Sequence, residues 1–191
     1  MRTVFKTAFA LLLLTVPARA QSQDYPAGQL PTSVTPTHYT IDLVTRPDLD
    51  TFSGKIDIDI SLTAPTKVIW LHGQELRVKE ARVTVDGEKP VTATWTEIPD
   101  SDGVVKLDLA SEVRGPRARI SITYDADYNR QLEGLYRADD GGERYLYSQM
   151  ETIFARRAFP SFDEPRFKTP YDISMTVRTR DSAISNTPVV R

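Results

Sequence analysis

The chain has 191 residues with 24 basic and 26 acidic side chains, two histidines and no cysteine. That length carries one domain with a sizeable core. The lack of cysteine excludes a disulfide-stapled fold and thiolate metal sites. The slight excess of acid argues against a nucleic-acid partner, which would need a basic face.

Residues 1–20 read as a secretory signal peptide: Arg2 and Lys6 form a basic start, Ala8 to Val16 is a short apolar run, and Ala18-Arg19-Ala20 fits a small-x-small cleavage site. The apolar run is shorter than the roughly 20 residues that span a bilayer, so no membrane anchor is expected. An exported protein, periplasmic or secreted, is expected to begin at Gln21. Loss of Arg2, Lys6 and Arg19 takes the 24 basic residues to 21 against 26 acids, a net charge near −5. Residues 21–37 are rich in Pro, Ser and Thr without periodicity, and read as an extended leader.

From His38 onward the pattern is period two, the mark of strands with one buried face. Tyr39-Ile41-Leu43 alternates with polar neighbours, and Ile56-Ile58-Ile60-Leu62 does so most cleanly. Val68 to His72 is apolar on both faces and reads as a central buried strand. Arg77–Val85 and Val91–Trp95 flank Asp86-Gly87 as a hairpin. Val105-Leu107-Leu109 and Ala118-Ile120-Ile122-Tyr124 follow, with Ala110 to Val113 as a helical turn between them. Arg144–Gln149 and Asp172–Arg178 supply the last strands. Many strands without intervening helices predict an all-β fold, an antiparallel β-sandwich or saddle over residues 38–191. Ser185 to Arg191 reads as a strand being entered, so the domain is expected to be truncated ahead of further sequence.

The chemistry-bearing stretch is Tyr145 to Tyr171. Gln149 and Glu151 stand one residue apart, which in an extended chain brings the amide and the carboxylate out on the same face. Arg156 and Arg157 are followed by Asp163 and Glu164, and Pro160, Pro165 and Pro170 forbid a long helix. Adjacent Asp163 and Glu164 diverge on an extended backbone, so they do not read as a catalytic acid pair. Arg156, Arg157, Asp163 and Glu164 are expected to form structural ion pairs that hold a turn. His38 and His72 are isolated from one another and begin no His-Glu-x-x-His motif, so no zinc site is expected in this chain.

Gln149-x-Glu151, the run Ala155-Arg-Arg-Ala-Phe-Pro-Ser-Phe-Asp-Glu-Pro165, and Tyr171-Asp172-Ile173 together resemble the aminopeptidase N family of zinc peptidases. Pro36-Thr-His38-Tyr39 followed by Ile41-Asp42-Leu43 resembles the start of that family's first domain. The likeness covers about Leu30 to Arg191 and implies the N-terminal domain of a zinc aminopeptidase. It implies that Glu151 binds the free α-ammonium of a peptide substrate and that Gln149 lines the pocket for the first side chain. The family's zinc ligands lie in a His-Glu-x-x-His helix with a distant glutamate, and a second amine-binding glutamate lies in a Gly-x-Met-Glu-Asn loop. This chain has neither, so zinc is expected in a longer parent enzyme, packed against this domain, and the fragment alone is expected to be inactive. The competing expectation, from another class, is a stand-alone β-sandwich binding or adhesion module without catalysis.

Overall fold

The computed structural model describes residues 24–190. The signal-peptide expectation for residues 1–20 lies outside them. Ten strands form: β1 (Val34–Val44), β2 (Thr51–Leu62), β3 (Thr66–His72), β4 (Arg77–Val85), β5 (Val91–Glu97), β6 (Val104–Val113), β7 (Arg117–Asp127), β8 (Gly134–Asp140), β9 (Glu143–Gln149) and β10 (Tyr171–Thr176). One 3-10 turn, Ala155–Arg157, is the sole helical element among the described residues. The fold is all-β, as the period-two pattern requires.

Eight strands make one sheet in the order β10-β1-β2-β7-β4-β5-β6-β3, and β8-β9 is a separate hairpin. All pairings are antiparallel except β1 with β10, which is parallel. The β4–β5 junction is narrow: only Arg82 with Thr92 and Val83 with Val91 are in register. There the sheet curls, and the inner faces of its two halves share one core. Ile56, Ile58 and Ile60 of β2 face inward with Ile120 and Ile122 of β7, and all are buried. Each such side chain contributes about 1.5–3 kcal/mol through burial. The outward residues of the same strands pair across the sheet, as Asp59 does with Arg119 at 2.6 Å.

Gly54 of β2 faces Tyr124 of β7 directly. A Cβ at residue 54 would overlap the Tyr124 ring. Glycine therefore lets that ring lie across the strand, where its hydroxyl donates to the Ala158 carbonyl at 2.8 Å. A sheet residue thus holds down the loop that follows β9.

Several sequence expectations need correction. β3 is an edge strand rather than a central one: it pairs with β6 alone. Ile69, Leu71 and His72 are buried while Val68 and Trp70 are only half-buried, and at the strand's end His72 and Ser161 exchange backbone bonds at 2.7 and 2.9 Å. Residues 110–113 continue β6 rather than turning helical, and Val113 is buried and paired with Thr66. β1 starts at Val34, inside the stretch read as a leader, and Leu30 and Val34 are buried in the core. Two apolar residues among prolines and threonines were too few to show periodicity. Residues 177–190 contain no strand.

Candidate functional site

β9 ends at Gln149, opposite Gly134 of β8. There the chain leaves the extended conformation and turns, closed by the Phe154 N–H donating to the Met150 carbonyl at 3.0 Å. The Glu151–Thr152 peptide is cis. Strand alternation therefore stops one residue before Met150, and Gln149 and Glu151 do not share a strand face. Instead, the Gln149 side-chain oxygen accepts the Glu151 backbone N–H at 3.1 Å. The structure does bring the two residues together, but through a side-chain-to-backbone bond within an exposed turn.

The turn runs into a rigid loop. Arg156 is buried, and its Nε donates to Asp163 Oδ2 at 2.9 Å. Its backbone N–H converges on the same oxygen at 3.3 Å, and Nη2 donates to the Asp163 carbonyl at 3.1 Å. Nη1 donates to the Asp102 carbonyl, in the β5–β6 connection. The Arg156 carbonyl in turn accepts the Gln74 N–H at 2.8 Å. A guanidinium satisfied in this forked manner loses little by being buried.

Arg157 turns away from Asp163 and pairs with Glu75 and Glu133, each at 3.3 Å. Glu164 pairs with Arg166 at 2.5 Å and accepts the Leu30 N–H at 2.5 Å, which fastens the N-terminal segment to the loop. The partners Glu75, Glu133 and the Asp102 carbonyl come from distant chain positions and left no local pattern to read. Arg166, two residues beyond Glu164, was legible but overlooked.

His72 lies beneath the loop. Its Nδ1 accepts the Asp163 N–H at 3.1 Å. Burial, with the Arg156 charge nearby, pushes its pKa down to about 3, so the imidazole is neutral. His38 of β1 faces Asp172 of β10 at 3.2 Å. Among the described residues no group of three or more His, Asp or Glu could hold a metal ion, so the residues present do not fit a zinc site.

An open cleft of about 530 Å³ lies beside the loop, lined in part by His72, Asp102, Ile153, Arg156, Asp163 and Arg166. In it Arg156 is paired with Asp163 and Arg166 with Glu164, while Asp102 offers Arg156 its backbone carbonyl. Gln149 and Glu151 lie outside it. Between residues 145 and 171 the acids are Glu151, Asp163 and Glu164. Asp163 and Glu164 each have an arginine. Glu151 has no cation among the described residues, and it is exposed.

These features define an all-β domain that holds an unpaired carboxylate on a short turn, braced by an arginine-locked loop. The chain belongs to the Peptidase M1 N-terminal domain family, which matches residues 35–191. Its relatives are aminopeptidases. It is 36% identical over 163 residues to aminopeptidase 2 of Candida albicans, covering 82% of this chain and 17% of that protein. It is 32% identical over 181 residues to aminopeptidase M1-C of Oryza sativa subsp. japonica, covering 91% of this chain and 20% of that protein. Puromycin-sensitive aminopeptidase of Caenorhabditis elegans is 28% identical over 167 residues, with 85% and 18% covered. The chain spans about a fifth of the length of these relatives.

Proposed function

We propose that this chain is the substrate-anchoring N-terminal domain of an exported zinc aminopeptidase, with Glu151 holding the free α-ammonium of a peptide and Gln149 lining the pocket for its first side chain. The observation that carries the reading is the unpaired Glu151 carboxylate in a stretch whose other acids are neutralised by arginine. Its position explains a need for the rest of a longer polypeptide. An ion pair in water contributes about 0–1 kcal/mol. A carboxylate that measures off one residue must work in a site closed from solvent, and a downstream catalytic domain packed over the turn would close it. Zinc, which would polarise the scissile carbonyl, belongs to residues of that domain.

The test is made in the full-length polypeptide. Removing one partner of a desolvated charge pair costs about 2–5 kcal/mol, so Glu151→Ala should lower kcat/KM for free-amine peptides by roughly 30-fold to a few thousand-fold. Glu151→Gln should recover part of the loss, because it keeps the shape without the charge. An N-acetylated peptide, already poor with the wild type, should lose little more. Undiminished cleavage of free-amine peptides by Glu151→Ala would reduce Glu151 to a surface residue.

A further inference from the structure

We infer that Arg156 is the positioning residue for Glu151: its guanidinium locks the loop from which the anchor turn is hung. The inference rests on the reading of Glu151 as the ammonium anchor. The turn itself is held by the Glu151 N–H to Gln149, by the Phe154 N–H to Met150, and by Met150 packing against the core. On its N-terminal side, β9 pairs with β8, and this hairpin is fastened to the β1–β2 connection by the buried Arg137, which donates to the Leu49 carbonyl at 2.7 Å, and by Arg144, which donates to the Asp48 carbonyl at 3.1 Å. A second, hydrogen-bonded attachment lies on the C-terminal side of the turn.

Arg156, five positions after Glu151, is one of its centres, beside the Tyr124 hydroxyl on Ala158 and the backbone bonds between His72 and Ser161. Arg156 ties the start of the loop to its end through the Asp163 carboxylate and carbonyl, and ties both to the β5–β6 connection through the Asp102 carbonyl. The loop end is itself seated on His72, which accepts the Asp163 N–H. Gly103, at φ 78°, is the residue a Cβ would push against the Arg156 side chain, with Arg156 Cδ 3.1 Å from that position. Exposed ion pairs decorate many surfaces. This one is buried at Arg156 and largely shielded at Asp163, with side-chain exposures of 6% and 12%. A misplacement of about 1 Å in a group that orients substrate is enough to lose a large part of a rate.

A double-mutant cycle in the full-length polypeptide tests this. Arg156→Lys keeps the charge and loses the fork. Asp163→Asn is a second, milder variant that keeps the shape of the acceptor should Arg156→Lys fold poorly. Residues that act through one another are non-additive. Either variant should raise KM for a free-amine peptide by about 5- to 50-fold with kcat changed much less, since an anchor for the substrate end acts on binding. In a Glu151→Ala background the same substitution should change kcat/KM less than about twofold. An equal loss in both backgrounds, a fall in kcat with KM unchanged, or no loss in either variant overturns the inference. Glu151→Ala measured alone separates the two claims: if it is silent, the anchor reading fails first and the positioning role falls with it.

Discussion

At His72 the protein spends burial to fix a protonation state. The imidazole is 3% exposed, and its folded pKa is about 3 against 6.5 for the free side chain. Above pH 6.5 both folded and unfolded chains hold it neutral, and it contributes no pH dependence. Below that, the unfolded chain takes up a proton that the folded chain refuses until about pH 3, so stability falls as the pH falls through this window. Between pH 7 and pH 4.5 the loss from this one group amounts to about 2–3 kcal/mol. His72→Asn retains an acceptor for the Asp163 N–H but does not titrate. Denaturant midpoints across this range should fall less steeply for the variant; parallel slopes for variant and wild type would show that His72 takes up its proton without unfolding the domain.

Among the elements, β10 stands apart. All six of its residues are exposed, although Tyr171 and Ile173 lie in register with the buried Tyr39 and Ile41 of β1. Ile173 and Met175 therefore extend the core-facing row of the sheet past the point where anything covers it. β10 is also the last strand of its sheet, so its outer backbone groups have no strand neighbour among the described residues. An exposed apolar edge strand is a template for pairing between chains. The isolated 191-residue chain should show concentration-dependent association in sedimentation velocity, and Ile173→Lys should shift it toward monomer. A wild-type chain that sediments as a monomer at every concentration would mean that the open edge is inert.

For the molecule as a whole, the class of fold was legible because one buried face forces alternation. Ile56, Ile58 and Ile60 announce β2 as plainly as any strand can. Position within the sheet was not. Val68 to His72 has the composition of a central strand, yet Val68 and Trp70 are only half-buried, and only tertiary structure puts the strand at the edge. β8 was missed because Gly134 to Asp140 ends in acids and carries little apolar signal. At the site, the arginine-acid stretch was readable as a braced turn, but Glu75 and Glu133 reach Arg157 from the β3–β4 and β7–β8 connections. The alternation rule misplaced Glu151 because strand geometry ends at Gln149. The proposal of export is a whole-molecule matter as well: the mature protein, recovered from outside the cytoplasm, should begin at Gln21 by mass spectrometry, and an intact Met1 end would refute processing.

The parallel pairing of β1 with β10 joins nearly the two ends of the described chain. A ribosome delivers residues in sequence order, so β1 can find β2 early, while its other edge stays open until Thr176 has been made. The loop that seats on Tyr39, through the Phe162 N–H donating to the tyrosine hydroxyl at 3.0 Å, arrives only shortly before. Closing such distant contacts is slow, and edges left open in the meantime invite misassembly. The Glu151 turn and its brace thus sit beside contacts that can close only late, against strands whose residues were made long before.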